Sequence, residues 1–243
     1  AASEKNMRAG GMLLLTNDDG IHADGLRALE TAARRWQSDV ITVAPLEPHS
    51  GCGHRVTVDR PLMLQQVEEN RYCVNGTPAD CVRLAFAALK LDQPGWVLSG
   101  INAGGNLGVD IHHSGTVAAA REAALHGWPA VALSQYHRRG KPIDWNIASS
   151  WAEAVFSTID DFGQLGSGQF FNVNFPHLDN PQASHPPPIV SCDIDPSPLP
   201  LQFIAHDNGW MYQGKYQDRP RQPGKDVAVC FGGQIALSRA QVV

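Results

Sequence analysis

A short apolar run that ends in an acidic turn is the feature that most restricts how this chain can fold. Residues 12–16 (M-L-L-L-T) are apolar up to Thr16, and the turn-forming sequence N-D-D-G follows at residues 17–20. An unbroken apolar run of this length is typical of a strand covered on both faces, and such strands belong to parallel sheets flanked by helices. The sequence therefore predicts a buried strand that carries two neighbouring carboxylates, Asp18 and Asp19, to one edge of a sheet.

The segments that follow alternate between apolar runs and apolar residues at helical spacing. We predict strands at residues 12–16, 40–44, 62–65, 72–74, 96–99, 130–133 and 170–175, and helices at residues 25–36, 77–89, 117–126 and 145–162. Strands that alternate with helices are typical of an α/β fold with a doubly wound, mostly parallel sheet. Residues 1–11 are small, polar and without pattern, and we expect them to be a disordered or added start outside the fold.

The composition changes after residue 175. Eight prolines lie between residues 176 and 200, and only residues 189–190 and 201–205 resemble short strands. We expect residues 12–175 to form the α/β core. We expect residues 176–243 to form an extended appendage that takes part in oligomerisation by wrapping around a partner subunit.

Charge and composition exclude several classes of protein. The 243 residues carry a formal net charge of -5, which gives no whole-chain attraction to a polyanion, so we expect no nucleic-acid polymer as a partner. No apolar run approaches the roughly 18 residues that cross a bilayer, and we expect no membrane association. The five cysteines are odd in number and form no C-x-x-C pair, which favours free thiols and a cytoplasmic location.

Polar loops follow three of the predicted strands, at the edge where open parallel sheets bind ligands. The first loop contains Asp18 and Asp19, the second contains Ser50 and the third contains Asn102. Adjacent carboxylates repel one another unless a cation compensates them, and a set of oxygen ligands suits a hard divalent ion. We therefore predict a metal site formed by these four residues. The alternative is that D-D-G forms only a turn and a helix entry.

Small residues, Ser114, Gly115 and Thr116, open the helix predicted after the third loop. They would let an anion approach the free backbone N–H groups, and the helix dipole favours negative charge there, so the sequence predicts a phosphate site. A cation beside such a site is what hydrolysis of a phosphomonoester requires, because the metal screens the phosphoryl oxygens and lowers the pKa of a bound water. The alternative is an ordinary Ser or Thr N-cap.

Other motifs do not support a function. Residues 209–216 nearly match a phosphate-binding P-loop, but Tyr216 replaces the Ser or Thr that binds magnesium, and no strand–loop–helix pattern surrounds it. No dinucleotide fingerprint is present, which disfavours a cofactor-dependent oxidoreductase. His49, Cys52 and His54 lack an evident fourth ligand, so we interpret them as loop residues and not as a zinc site.

The loops together resemble the SurE family of stationary-phase survival proteins, which are metal-dependent 5'/3'-nucleotidases. The resemblance spans residues 12–175 in order and rests on L-L-L-T-N-D-D-G at 13–20, N-G-T-P-A-D-C-V at 75–82, S-G-I-N-A-G-G-N-L-G at 99–108 and S-G-T-V-A-A-A at 114–120. One departure is that Pro48 and His49 precede Ser50, where the family more commonly has Arg or Gln next to the serine.

The resemblance implies a Rossmann-like core with a C-terminal extension exchanged between the subunits of a dimer or tetramer. It implies that one Mg²⁺ or Mn²⁺ per subunit is bound by Asp18, Asp19, Ser50 and Asn102. It implies that phosphate is held by Asn106, Ser114, Gly115 and Thr116. The implied reaction is hydrolysis of nucleoside 5'- and 3'-monophosphates to nucleoside and phosphate, with short polyphosphate as a further substrate.

The mechanism that we predict is a direct in-line attack by water, with Asp18, Asp19 and Asn106 as the catalytic residues. Asp19 would help to deprotonate a metal-bound water and Asn106 would orient it, while the metal and the helix start at Thr116 stabilise charge on the phosphoryl oxygens. Two alternatives stay open at this point. One is a covalent phosphoaspartate, and the other is a nucleotide-binding protein that catalyses nothing.

Overall fold

Strands and helices alternate along most of the part of the chain, residues 11–91 and 95–242, that the computed structural model describes. The strands are β1 (Leu13–Thr16), β2 (Val40–Pro45), β3 (Leu64–Glu68), β4 (Arg71–Val74), β5 (Trp96–Ala103), β6 (Ala130–Gln135), β7 (Gln169–Phe175), β8 (Ile189–Ser191), β9 (Phe203–His206), β10 (Gly209–Tyr212) and β11 (Ile235–Gln241). The helices are α1 (Asp24–Trp36), α2 (Pro78–Ala88), α3 (Gly115–Leu125), α4 (Trp145–Thr158) and α5 (Asp226–Phe231). Short 3₁₀ turns occupy Gly108–His112, Ile159–Phe162 and Tyr216–Asp218.

Nine of these strands form one sheet in the order β3-β4-β2-β1-β5-β6-β7-β11-β8. Strands β4, β2, β1, β5, β6 and β7 pair in parallel, whereas β3 and β11 are antiparallel to β4 and β7. The predicted α/β fold with a mostly parallel sheet is therefore confirmed. The chain leaves β1 for β2 on one side and later returns to place β5 on the other, so the sheet has its switch point between β1 and β5.

Helices cover both faces of the sheet, which is why its central strands are apolar throughout. Helices α1 and α4 pack against each other on one face, and α2 packs against α3 on the other. All four residues of β1 are buried, with Leu13 and Leu15 in the cluster beneath α1 and Leu14 in the cluster beneath α3. This two-sided burial explains the unbroken apolar run from which β1 was predicted.

Helix α2 begins as its sequence predicts. The Thr77 side chain accepts a hydrogen bond from the Asp80 backbone N–H, and the Asp80 side chain accepts one from the Thr77 backbone N–H, which together form a capping box with Pro78 in the first turn. The Asp80 carboxylate also accepts hydrogen bonds from the backbone N–H and the hydroxyl of Thr57, at 2.9 and 2.7 Å. The cap of α2 therefore also anchors the segment that leads out of the Ser50 loop.

The segment after residue 175 differs from the prediction of an appendage. Strands β8 and β11 belong to the main sheet, and helix α5 packs beside β11. The predicted boundary at residue 175 therefore runs between strands of a single sheet, because the open edge of β7 needs a partner for its backbone N–H and C=O groups and β11 supplies it. Among the described strands, those of the β9–β10 hairpin have every residue exposed.

Several smaller predictions also fall on described residues. Strand β3 begins at Leu64 and not at 62, and the helix predicted for 145–162 is α-helical only to Thr158. Residues 209–216, which nearly match a P-loop, contain hairpin strand β10. Residues 1–10 of the predicted irregular start lie outside the described residues.

Within residues 11–91 and 95–242, no helix is both long enough and apolar enough to cross a membrane.

Candidate active site

The turn after β1 is built by Asn17. Its side-chain amide donates to the Gly20 carbonyl at 2.8 Å, and its Oδ1 accepts from the Gly20 N–H at 3.2 Å. Gly20 has a φ of +99°, a conformation that other residues rarely adopt. Because the Asn17 side chain satisfies the backbone N–H and C=O of Gly20, the turn does not need the side chains of Asp18 and Asp19, which face the carboxyl edge of the sheet.

Asp18 is buried, with 5% of its surface exposed. Burial raises the pKa of its carboxyl to about 6, a hydrogen bond from the Thr116 hydroxyl opposes that rise, and the neighbouring charge of Asp19 adds to it. A carboxylate this poorly solvated is costly unless a cation or several donors compensate it.

Asp19 is tied to the loop after β5. Its Oδ2 accepts a hydrogen bond from the Ala103 backbone N–H at 3.2 Å. Burial raises the pKa of Asp19, and the hydrogen bond from Ala103 opposes that rise. Ala103 directly follows Asn102, so this contact holds the carboxylate of Asp19 beside the predicted amide ligand.

The Ser50 loop is tied to the same turn. The His49 backbone N–H donates to the Asp18 carbonyl at 2.7 Å, which places the residue before Ser50 directly against the acidic turn. Ser50 itself is exposed. Asn102 donates from its Nδ2 to the Gly104 carbonyl at 2.8 Å, and its Oδ1 has no hydrogen bond within the described residues. The three loops that carry the four predicted metal ligands are thus in contact at one edge of the sheet, through His49 and Ala103, which neighbour Ser50 and Asn102.

The donors fit a hard divalent cation. They comprise two neighbouring carboxylates, whose burial disfavours the charged form, together with an amide and a hydroxyl oxygen. Among the described residues, no three His, Cys, Asp or Glu side chains lie close enough to hold a metal. A cation at this edge would therefore depend on the neutral oxygens of Ser50 and Asn102, and on waters, to complete its coordination. Such a set suits Mg²⁺ or Mn²⁺ better than a soft metal.

Helix α3 starts against the acidic turn. A Cβ placed on Gly115 would lie 2.8 Å from the Cβ of Asp18 and 3.0 Å from the Sγ of Cys52, so only glycine fits between them. Ser114 is the N-cap, and its hydroxyl accepts from the Val117 N–H at 3.0 Å. The capping alternative is therefore correct for Ser114. It does not exclude phosphate binding, because the hydroxyl proton and the first N–H groups of a helix have no partner within it.

Thr116 joins the two halves of the site. Its hydroxyl donates a hydrogen bond to Oδ1 of Asp18. The side chain that was predicted to bind phosphate is therefore bonded to a carboxylate that was predicted to bind the metal. Since a hydroxyl has one proton, contact between Thr116 and a phosphate would have to come from its backbone N–H.

Asn106 lies in the glycine-rich loop after β5 and is fixed by β7. Its backbone N–H donates to Asn174 Oδ1 at 2.8 Å, and its carbonyl accepts from the side-chain amides of Asn172 and Asn174 at 2.9 and 3.1 Å. Its own Nδ2 donates to the Ser134 hydroxyl at 2.7 Å. One N–H of that amide stays available for an anion. The contacts hold Asn106 rigidly at the carboxyl end of β6 and β7.

Sequence analysis missed Asn172 and Asn174. Both are fully buried in β7, where polar residues alternate with apolar ones as F-N-V-N-F. Two amides in the interior of an otherwise apolar strand need hydrogen-bond partners, so this pattern was a signal that β7 supports a loop. The C-terminal segment also contacts this loop, through Tyr216 and Arg219, but no sequence pattern marks those contacts.

A cavity opens near the ends of the strands at this edge of the sheet. It has a volume of about 600 Å³ and is lined by residues at the ends of β6 and β7 and the start of α4, among them Gln135, Trp145 and His177. Neither Asp18 nor Asp19 lines it. We place the candidate site at the acidic turn because the buried carboxylates and the start of α3 converge there.

Comparisons with known proteins show similarity to one family in both sequence and fold. The sequence profile described as "Survival protein SurE" matches residues 13–189. A relative from Synechocystis sp. is 46% identical over 231 residues, which cover 94% of this chain and 99% of the relative. A protein of Paramagnetospirillum magneticum named "5'-nucleotidase SurE" is 45% identical over 241 residues, covering 93% of this chain and 88% of that protein.

A solved structure shows the same fold. The crystal structure of the SurE protein from Aquifex aeolicus superimposes with a TM-score of 0.82 at 28% identity and covers 96% of this chain and 94% of its own. The profile match includes the acidic turn, the Ser50 loop, the glycine-rich loop and the start of α3. From its sequence and from its fold, this chain belongs to the SurE family.

Proposed function

We propose that this chain is a divalent-metal-dependent nucleotidase that hydrolyses nucleoside 5'-monophosphates to nucleoside and phosphate. The observation that carries the proposal is the hydrogen bond from Thr116 to Asp18, because it joins a buried pair of carboxylates to the amino terminus of α3. Relatives named 5'-nucleotidase SurE support the substrate class. Nucleoside 3'-monophosphates and short polyphosphate, which present the same terminal phosphoryl group, are further proposed substrates.

In this proposal the negative phosphoryl oxygens are bound from two sides, by a divalent cation and by N–H donors of the chain. A divalent cation held by Asp18, Asp19, Ser50 and Asn102 would screen the phosphoryl oxygens and lower the pKa of water. The N–H groups at the start of α3 and the side-chain amide of Asn106 would bind the phosphoryl oxygens from the other side. The substrate's phosphate would then lie between Asp18 and the glycine-rich loop.

Asp19 is our candidate for accepting the proton of the attacking water. Its Oδ2 accepts a hydrogen bond from the Ala103 N–H, which leaves Oδ1 for the water. Asp18 is less suited to attack phosphorus, since it is buried and its Oδ1 already accepts from Thr116. We therefore propose direct attack by water in place of a phosphoaspartate. Rapid-quench mass spectrometry that trapped phosphate on either aspartate would contradict it.

The direct test is phosphate release from AMP and GMP. We expect release with Mg²⁺ or Mn²⁺, its loss with EDTA, and a fall of roughly 100-fold or more in kcat for Asp19→Asn, because the variant lacks the base and weakens metal binding. Asp24→Asn is the matched control, since Asp24 is an exposed aspartate at the start of α1, and it should retain normal kcat. Metal-loaded protein that binds AMP without releasing phosphate would instead establish a nucleotide-binding protein.

We also propose that the chain acts as a homodimer or homotetramer in the cytoplasm, with the β9–β10 hairpin exchanged or packed between subunits. Two observations support this. The hairpin exposes Phe203, Trp210 and Tyr212 to solvent, with Trp210 74% exposed, and patches of this kind mark interaction surfaces. All five cysteines are free thiols, as expected in a reducing compartment.

A further inference from the structure

The loop that carries Asn106 is clamped by a segment more than a hundred residues further along the chain. Tyr216 shares its one hydroxyl proton between two acceptors, Oδ2 of Asp110 at 2.7 Å and, more distantly, the Gly105 carbonyl at 3.3 Å. Arg219 donates from Nη1 to the same Asp110 oxygen at 2.5 Å and from Nη2 to the Leu107 carbonyl at 3.1 Å. The two carbonyls that accept belong to the residues immediately before and after Asn106.

We define Asp110, Tyr216 and Arg219 as the Asp110 network. Arg219 is buried, with 3% of its surface exposed, whereas Asp110 and Tyr216 are half-buried. The guanidinium of Arg219 stacks on the Tyr216 ring, 4.9 Å from its centroid. Burial, and then the charge of Asp110, raise the pKa of Tyr216, so its hydroxyl keeps the proton that it donates. Charge-assisted hydrogen bonds in a poorly hydrated place are stronger and more directional than exposed ones.

A second contact from the same segment holds the loop further along. The carboxylate of Asp226 accepts from the Gly108 N–H at 2.8 Å and, on its other oxygen, from Asp195 and Val227. Gly108 has a φ of +54°, and a Cβ there would lie 2.9 Å from the Asp195 carbonyl. The loop is therefore pressed closely against the C-terminal segment.

The loop needs such support because its own sequence is permissive. Gly104, Gly105 and Gly108 lie around Asn106, and glycine loses more conformational freedom on folding than any other residue. Asn172 and Asn174 fix the Asn106 backbone from the sheet, and its flanking peptides are held by Tyr216 and Arg219 of the C-terminal segment.

We propose that Tyr216 and Arg219 are positioning residues, which hold the loop of residues 104–112 in the conformation that presents Asn106 to the substrate's phosphate. The inference rests on the proposed function for the identity of the ligand. Neither residue contacts the acidic turn within the described chain, so the effect of losing them should fall on the phosphate and not on the metal.

The test compares Tyr216→Phe and Arg219→Lys with the wild-type protein. Tyr216→Phe removes only the hydroxyl and keeps the ring, whereas Arg219→Lys keeps the charge but cannot bind Asp110 and Leu107 in the same way. We expect the inhibition constant of inorganic phosphate in Mn²⁺-loaded protein to rise roughly 3- to 10-fold in each variant, and the kcat for AMP to fall by a similar factor. The dissociation constant of Mn²⁺ should change less than about twofold.

Amide hydrogen exchange gives a readout that needs no catalysis. Peptides that cover residues 104–112 should exchange faster in both variants, while β1 and α3 keep their protection. Arg221→Lys is the matched control, because Arg221 lies on the same segment but stacks on the Phe231 ring at 5.3 Å, and it should behave as wild type in every assay.

The outcomes separate the two proposals. The inference is overturned if the variants fold and lose thermal stability but keep wild-type phosphate affinity and loop protection. The Asp110 network would then have only a structural role. Wild-type protein that neither binds nor releases phosphate would instead contradict the proposed function, and faster exchange of the loop in the variants would still show that the network holds it. Should Arg219→Lys fail to fold, Tyr216→Phe alone decides the matter.

Discussion

Asp18 shows how much one buried residue can reveal about a site. It is almost fully covered, it accepts from Thr116, and its pKa is raised to about 6 chiefly by burial. A protein that retains such a group must recover its cost when something binds, and a cation is the simplest partner.

We predict that metal-free protein becomes less stable as the pH rises toward 6. The folded pKa of Asp18 is above its ordinary 3.8, so the folded state holds a proton that the unfolded state releases between these values. The contribution of Asp18 to the free energy of unfolding should therefore fall by roughly 2 kcal/mol between about pH 4 and about pH 7.5.

Urea unfolding in EDTA, compared with Asp18→Asn, measures this effect. The variant should be more stable than wild type at about pH 7.5 and lose that advantage at about pH 4. Mn²⁺ should stabilise wild type far more than Asp18→Asn. A difference between the two proteins that does not change with pH would show that Asp18 is not the group responsible.

Gly115→Ala is predicted to damage the site although alanine is a better helix former. The new Cβ would lie 2.8 Å from the Asp18 Cβ, so α3 or the acidic turn must move. We expect a lower Tm and a fall of roughly 10- to 100-fold in kcat/KM, as small displacements of reacting groups are costly. At Gly209 a Cβ meets nothing within 4 Å, and Gly209→Ala should leave both quantities unchanged.

At the scale of elements, the same capping device serves two different purposes. Thr77 caps α2 and Ser114 caps α3, each by accepting from a backbone N–H of the first turn. The start of helix α2 contacts residues 55–57, whereas the start of α3 lies against the acidic turn. Only the second cap is placed to contribute to binding an anion.

Thr77→Ala and Ser114→Ala should separate these purposes. Each loses its cap and should lower the free energy of unfolding by about 1 to 2 kcal/mol. Thr77→Ala should keep the wild-type inhibition constant for phosphate, and Ser114→Ala should raise it. Equal phosphate affinity in the two variants would leave Ser114 as a helix cap alone.

The elements themselves were largely predictable from the sequence, and the reason lies in their periodicity. The apolar run of β1 and the helical spacing of the apolar residues in α1 are both visible in the local sequence. The parallel pairing of β2, β1 and β5 then brings the polar residues that follow these strands to the same edge of the sheet. Strand β11 was missed because its sequence, I-A-L-S-R-A-Q, is only partly apolar and its partner β7 is distant in the chain. The contacts of Tyr216 and Arg219 were equally beyond prediction, since no local pattern marks a residue that binds a loop so far away.

At the scale of the whole molecule, the exposed hairpin is the feature that a single chain does not explain. Trp210→Glu should reduce the number of subunits, from tetramer to dimer or from dimer to monomer, because it places a charge in the apolar surface of β10. Light scattering coupled to size-exclusion chromatography measures the molar mass. Met63→Glu is the control, as Met63 is 62% exposed and lies away from the hairpin in sequence. If both variants elute as wild type, the subunit contact lies elsewhere.

The pairing of β7 with β11 has a consequence for biosynthesis. The chain emerges from the ribosome with β7 complete but its outer edge open, and that edge stays available for wrong partners until Ile235–Gln241 has been made. Asn172 and Asn174, which support Asn106, lie on that strand, so a wrong partner at its edge would also disturb the loop that they hold. A chaperone that covers the edge of β7 during translation would therefore protect both the sheet and the loop that contains Asn106.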